Sequence, residues 1–242
     1  MQNNIILIQG AEDSEIDFLI EKLEESEKIV IGNYVFFKGK FKDKNIVISR
    51  TKVGEINSSA VTAIAIMKFA PIAIINQGTA GGYGENIHKG DIVVAENYIQ
   101  INSFATESNE KSKRIEENIN LKEFLTDDEI KNSFHVANSR LLDTFKKLLP
   151  SITDTSVHYG TVGSGDTWNK NKDIIKFLNE KYDILCEEME IAGVYRIANN
   201  FNVPVISIRV ISNNEVLKEE YEPEIAKNIQ KIVYELAQKI EL

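Results

Sequence analysis

Ile5-Ile-Leu-Ile8 is a continuously apolar run that ends at Gly10, and Ile16, Leu19, Ile20 and Leu23 then recur at helical spacing. That is strand, turn, helix, and the same grammar continues down the chain. Tyr34 to Phe41 and Asn45 to Ser49 read as strands joined by the tight polar turn Lys42-Asp-Lys44, and Ala60, Ala63, Ile64 and Met67 mark a helix that Pro71 stops. Ile72 to Ile75 is a buried strand, followed by the glycine-rich Gly78-Thr-Ala-Gly-Gly-Tyr-Gly84 and a further strand from Asp91 to Ala95. Leu141 to Leu149 reads as helix and Gly160 to Gly165 as strand. Tyr182 to Leu185 reads as a buried strand that hands over to an apolar helix beginning near Glu188 and closing around Asn199 and Asn200. Val205 to Ile211 is another apolar strand, and Ile225, Ile229, Ile232, Val233, Leu236 and Ile240 mark a long C-terminal amphipathic helix. Strands alternating with helices predict an α/β fold with a largely parallel sheet. The polar, charged segment 103–131 reads either as a mobile or partner-facing excursion or as a solvated insert.

The bulk numbers agree with one domain over residues 1–242, since 242 residues with 43% hydrophobic content can bury a full core. The 37 acidic residues against 28 basic ones, a net charge of −9, oppose a large phosphate-backbone contact, so nucleic acid is not an expected partner although a small nucleoside is compatible. One cysteine, Cys186, rules out an internal disulfide, and His88, His135 and His158 show no metal-ligand spacing. A cytoplasmic protein without metal or cofactor is expected. The start of the chain lacks the basic region of a signal peptide, and the longest apolar stretch, Val61 to Ile75, is interrupted by Lys68 and Pro71, so neither secretion nor membrane insertion is expected.

Polar residues gather where apolar strands end: Gly10 to Glu15, Gln77 to Thr79, Ser164 to Asn169, Ser212 to Glu215, and above all Cys186-Glu-Glu-Met-Glu190. Each has an ordinary explanation in turns and caps: Ser14, Asp166 and Thr167 as N-caps, Glu15 as a first-turn acid. Their recurrence is what an open α/β sheet shows at its ligand crevice. Gly78, Gly81, Gly82 and Gly84 fit neither a dinucleotide fingerprint nor a P-loop, but they permit a ring to lie close against the main chain. Trp168, the only tryptophan, reads as a core anchor or as a stacking wall for a flat heterocycle.

Taken together, Gly10-Ala11 with Glu15, Asn76-Gln-Gly-Thr-Ala-Gly-Gly82, Lys89-Gly-Asp-Ile-Val-Val94, Ser164-Gly-Asp166, Glu188-Met-Glu190 and Arg209-Val-Ile-Ser212, in this order over nearly the whole chain, resemble the purine nucleoside phosphorylase/nucleosidase superfamily. The likeness is greatest to the 5'-methylthioadenosine/S-adenosylhomocysteine nucleosidases. It implies a three-layer fold with a mixed, largely parallel central sheet flanked by helices. It also implies a homodimer that hydrolyses the N-glycosidic bond of a purine nucleoside without a cofactor, in methionine salvage. Carried over by position, the resemblance makes Glu15 the base that activates water and Glu190 the acid that holds the ribose hydroxyls and favours the developing positive charge. Met189 and Glu188 lie beside the sugar, Thr79 and Val53 near the ribose and nucleophile, Gly81 and Trp168 against the purine, and Asn169 and Ser212 near the base.

One departure stands out. Adenine-specific members of the family follow Ser212 with an aspartate that protonates N7, and this chain has Asn213. An amide donates a hydrogen bond but not a proton, so Asn213 suits a 6-oxopurine such as the base of inosine or futalosine, unless Glu215 supplies the acid. Loss of turnover, leaving a nucleoside-binding protein, is the other reading. Phosphorolysis needs strong cationic donors for a phosphate dianion. Glu15 would repel that ion, and Arg50 is the one nearby candidate to hold it.

Overall fold

Alternation within β1 (Ile5–Gly10) builds the layers. Ile5 and Leu7 face one core with Val61, Ala65 and Val194, whereas Ile6 and Ile8 face another with Leu19, Ile229 and Val233. β1 is buried along its whole length because it lies between two parallel neighbours, β4 (Lys44–Arg50) and β5 (Ala73–Gly82), and is covered on both faces. These elements come from a computed structural model, which describes residues 4–103, 105–106, 119–120 and 137–241. Helices α2 (Glu55–Phe69) and α5 (Ile191–Asn200) cover the first face, while α1 (Asp17–Glu21), α3 (Ser139–Lys146) and α6 (Ala226–Lys239) cover the second. The remaining described helix, α4 (Lys172–Tyr182), packs through Ile175 and Leu178 on Tyr83, Ile99 and Ile184.

The other strands are β2 (Glu24–Ile31), β3 (Tyr34–Phe41), β6 (Ile92–Gln100), β9 (Val157–Ser164), β10 (Ile184–Glu188) and β11 (Val205–Asn213), with a small separate pair, β7 (Ala105–Thr106) and β8 (Ile119–Asn120). The main sheet runs β10-β9-β6-β11-β5-β1-β4-β3-β2. It is mixed: β11–β5, β5–β1, β1–β4, β6–β9 and β9–β10 are parallel, while β11–β6, β3–β4 and β2–β3 are antiparallel. β10 also pairs antiparallel with β5, through Cys186 opposite Gly82 and Glu187 opposite Gly81. Five strands therefore close on themselves, and the strand ends of β5, β10 and β11 meet around Gly81.

The three-layer α/β architecture with a mixed sheet is as expected. Local readings differ in four places. Gly78 to Gly82, a glycine-rich segment outside the predicted strand, is the second half of β5, held between β11 on one side and β10 on the other. Tyr182 ends α4, so the buried strand begins at Ile184 and runs to Glu188. Met67, one of the apolar residues whose spacing marks α2, is 78% exposed. Glu24 to Ile31 forms a charged edge strand bonded only to β3, the kind of edge that charge protects from further pairing. Apart from Ser103 and the residues of β7 and β8, the 103–131 segment lies outside the described residues.

Candidate active site

The strand ends of β1, β4, β5, β10 and β11 border a cleft of about 190 Å³ that is open to solvent. Five glutamates (Glu12, Glu15, Glu187, Glu188, Glu190) line it, and its described lining contains no lysine or arginine. Arg50 instead pairs with Asp13 at 2.6 Å and borders a neighbouring recess with Lys52.

At one end sits Glu15, buried at the end of a 3-10 turn that follows β1. Its Oε2 accepts from the Ala11 N–H at 2.7 Å and the Glu12 N–H at 3.3 Å. Its Oε1 accepts from the Thr79 N–H at 2.8 Å and the Thr79 hydroxyl at 3.1 Å. Glu12, not Ser14, takes the cap position of this turn. The carboxylate can come this close to β5 only because residue 78 is glycine: a Cβ there would lie 2.7 Å from both Glu15 Oε1 and Arg209 Nη1. Tyr221, from the loop beyond β11, borders the same cleft as Thr79.

Glu190 borders the same cleft and feels the charge of Glu15. Its Oε1 accepts from the Gly54 N–H at 3.0 Å, and Ser58 donates to its carbonyl at 3.0 Å. Gly54 has φ of 102°, a conformation that favours glycine and aims that N–H at the carboxylate. Burial first, then the charges of Glu188 and Glu15, against the opposing pull of Arg209, push the Glu190 carboxyl up to about 8. Asp166 does act as a helix cap, but for α2: its Oδ1 accepts from the Glu55 N–H at 2.8 Å.

Glu188 borders the cleft, yet its oxygens are taken. Oε2 receives Arg209 Nη2 at 2.5 Å and the Glu190 N–H at 2.9 Å, and the Ile191 N–H donates to both oxygens. Arg209 also donates to Asn76 Oδ1. Burial opposes the Arg209 charge, but Glu188, Glu190 and Glu15 outweigh it and raise its proton affinity. Glu188 is thus a support that holds the start of α5 and the Glu190 backbone, whereas the resemblance placed it at the sugar.

The other end is aromatic and amide-rich. Trp168 and Tyr221 meet edge to face with centroids 5.3 Å apart, both about half exposed at the mouth. Asn213 lies opposite Gly81 and receives the Ser212 hydroxyl on Oδ1 at 3.0 Å. Asn214 turns away, donating to the carbonyls of Gly84 and Ile87, and Glu215 is outside the lining, so Asn213 is the one that faces the cleft. Glu187 is buried between Tyr83 and Asn169, and burial raises its proton affinity against three hydrogen bonds that lower it.

The cleft therefore gathers Glu15, Val53, Thr79, Gly81, Trp168, Glu188, Met189, Glu190, Ser212 and Asn213, while Asn169 stands behind the wall. Sequence reading had no use for Tyr221 or Glu187. Tyr221 lies in the charged run Lys218-Glu-Glu-Tyr-Glu222, which carries no apolar period, and the position of Glu187 depends on the β10–β5 register. Among the described residues, no group of three His, Cys, Asp or Glu side chains is arranged to hold a metal ion, and no helix is long and apolar enough to cross a membrane.

Comparison with known proteins accords with this arrangement. The family model of the phosphorylase superfamily matches residues 4–240. A 5'-methylthioadenosine/S-adenosylhomocysteine nucleosidase of Bacillus licheniformis is 25% identical over 245 residues, covering 97% of this chain and 99% of its own. Among solved structures, the nucleosidase of that name from Neisseria meningitidis, in complex with methylthio-immucillin-A, superposes with a TM-score of 0.82 at 20% identity, covering 98% of this chain and all of its own. A futalosine hydrolase mutant of Helicobacter pylori superposes with a TM-score of 0.78 at 22% identity and 98% coverage of this chain. With nearly its whole length matched and its polar strand ends meeting in one cleft, the chain belongs to the phosphorylase superfamily.

Proposed function

We propose that the chain hydrolyses the N-glycosidic bond of a purine nucleoside, as its 5'-methylthioadenosine/S-adenosylhomocysteine nucleosidase relatives do by name, releasing the free base and the ribose moiety. The observation that carries this reading is the Glu15 carboxylate, fixed by three N–H groups and a hydroxyl in a cleft bordered, among the described residues, by five glutamates and no cation. In the reaction, Glu15 takes a proton from water as the water oxygen bonds to C1' of the sugar. The C1'–N9 bond breaks, its electron pair stays with the base, and the base takes a proton from solvent, balanced by the water proton that Glu15 returns to solvent. Glu190 accepts from the ribose hydroxyls, with Met189, Thr79 and Val53 against the sugar, and its ionised form favours the oxocarbenium-like charge on the ring. Trp168 covers the purine, whose edge faces Gly81, Ser212 and Asn213. The lack of cationic donors among the described lining residues disfavours phosphorolysis. Turnover, and not binding alone, is expected because the water-activating carboxylate is intact.

A second reading of the base has its own support: Asn213 cannot hand a proton to N7, which points to inosine- or futalosine-type substrates. The test is incubation with methylthioadenosine, S-adenosylhomocysteine, adenosine and inosine, each with and without phosphate, identifying base and sugar. Base release without phosphate, abolished by Glu15→Gln, is the expected result. Binding without release would leave a nucleoside-binding protein.

The protein is further proposed to be a cytoplasmic homodimer. Ile56 is 80% and Met67 78% exposed on α2, beside a recess lined by Ala60, Ala63 and Ile197, an apolar face that a second copy would cover. Sedimentation should give a dimer that Ile56→Glu with Met67→Glu dissociates; an unchanged mass would exclude this face. The free, buried thiol of Cys186 suits a reducing compartment, and a role in methionine salvage follows if the thio-nucleosides are substrates.

A further inference from the structure

Glu187 is a buried carboxylate at the aromatic end of the cleft, and the chemistry above gives it no work. It lies opposite Gly81 on the β10 side, and Asn213 lies opposite the same glycine on the β11 side. A Cβ on Gly81 would sit 3.7 Å from Glu187 Cγ and 3.6 Å from Asn213 Nδ2. The absence of that Cβ leaves both side chains facing one space, which Trp168 borders.

Their polarities are set from behind. Glu187 Oε2 receives the Tyr83 hydroxyl at 2.6 Å and Asn169 Nδ2 at 2.6 Å, and Oε1 receives the Asn169 N–H at 2.8 Å. Three donors favour the ionised carboxylate against the burial that raises its proton affinity, and in that form it accepts hydrogen bonds and donates none. They also occupy the Asn169 N–H, removing a backbone donor from this wall. Asn213 is set the other way: the Ser212 hydroxyl, shared with the Ala80 carbonyl at 3.2 Å, lies 3.0 Å from Oδ1, and Nδ2 is left to donate into the cleft.

We infer that Glu187 reads the six-membered ring of the purine and, with Asn213, selects a 6-oxopurine over adenine. A 6-oxopurine presents the acceptor O6 beside the donor N1–H, which matches a donor at Asn213 and an acceptor at Glu187. Adenine presents the reverse, a donor at N6 beside an acceptor at N1. It would set donor against donor and lone pair against lone pair, and mispaired buried polar groups are how sites reject analogues. The leaving group agrees: a departing 6-oxopurine spreads its negative charge onto O6, where an amide hydrogen bond stabilises it without transferring a proton. The assignment rests on the hydrolase reading of the same site and narrows its substrate class.

The test uses nucleosides that differ only in the base, 5'-methylthioinosine against 5'-methylthioadenosine and inosine against adenosine, comparing kcat/KM in the wild type and in Glu187→Gln. The 6-oxo member of each pair is expected to be favoured by about tenfold or more, and Glu187→Gln to reduce that ratio by a similar factor. Because a buried substitution can impair folding, calorimetry on the wild type supplies a second readout, with hypoxanthine expected to bind more tightly than adenine. Preference for adenine in catalysis and in binding overturns the base assignment and leaves hydrolysis standing, as does a ratio that folded Glu187→Gln leaves unchanged. If no purine nucleoside is cleaved and neither base binds, the hydrolase reading falls and this inference falls with it.

Discussion

Replacing Glu15 by glutamine keeps the shape of the side chain and changes one oxygen to NH₂. The native carboxylate accepts on both sides: from the Ala11 and Glu12 N–H groups at Oε2, and from the Thr79 N–H and hydroxyl at Oε1. An amide turned with its NH₂ toward Ala11 and Glu12 meets two N–H donors. Turned toward Thr79 it meets one, because the hydroxyl can rotate to accept. The better orientation therefore leaves one buried N–H without an acceptor, a cost of about 1–3 kcal/mol in stability. At roughly 2–4 °C of melting temperature per kcal/mol for a chain of this size, the loss is easily measured. Catalysis should fall further, by about 10²–10⁴ in kcat, because the amide cannot take the water proton. Binding of free base, which contacts the opposite end of the cleft, should change little. Steady-state base release, thermal melting and calorimetry on one preparation separate these effects. Near wild-type kcat in a folded Glu15→Gln protein would refute the argument, and base affinity falling in step with kcat would show that Glu15 shapes the whole cleft instead of activating water.

Four further outcomes follow from the same geometry. Gly78→Ala should cost about 1–3 kcal/mol through overpacking and depress kcat, since its Cβ would sit 2.7 Å from Glu15 Oε1 and Arg209 Nη1; urea unfolding and kinetics check both. Glu188→Ala leaves Arg209 charged and buried and frees the Glu190 and Ile191 N–H groups, so urea unfolding should show a loss of about 3–5 kcal/mol. The Glu190 carboxyl is raised from 4.5 to about 8, so between those values the native state holds a proton that the unfolded chain has shed, and stability should fall as pH rises through that window. Glu190→Gln should flatten that dependence in melting experiments, and in the wild type kcat/KM should climb as pH passes about 8 and the ionised form appears. Asn213→Asp should raise kcat/KM for adenine nucleosides by restoring an acid to N7; no gain would remove Asn213 from the base edge.

The parts of this fold that sequence makes legible are those whose signal is local. β1 and β11 are buried throughout and read as largely apolar runs because sheet neighbours flank them on both sides and helices cover their faces, and α6 shows one clean apolar stripe, so each declares itself without reference to the rest of the chain. Polar residues at strand ends likewise marked the cleft before any geometry was known. What stayed hidden depends on register and long-range pairing. Gly78 to Gly82 reads as a glycine-rich segment in isolation and becomes a strand only because β10 and β11 close on it from both sides. The job of Asp166 is to cap a helix more than a hundred residues away. Glu188 resembles a sugar ligand until Arg209 is seen to occupy it, and Glu187 gains a role only when its register places it across Gly81 from Asn213.

The central claim is that water, not phosphate, takes the ribosyl group. Purine nucleosides incubated with the protein in phosphate-free buffer, with the sugar product identified by mass, test it directly. The account predicts free base and the free ribose-type sugar, at a rate that added phosphate does not increase. Release that requires phosphate and yields the sugar 1-phosphate would contradict it.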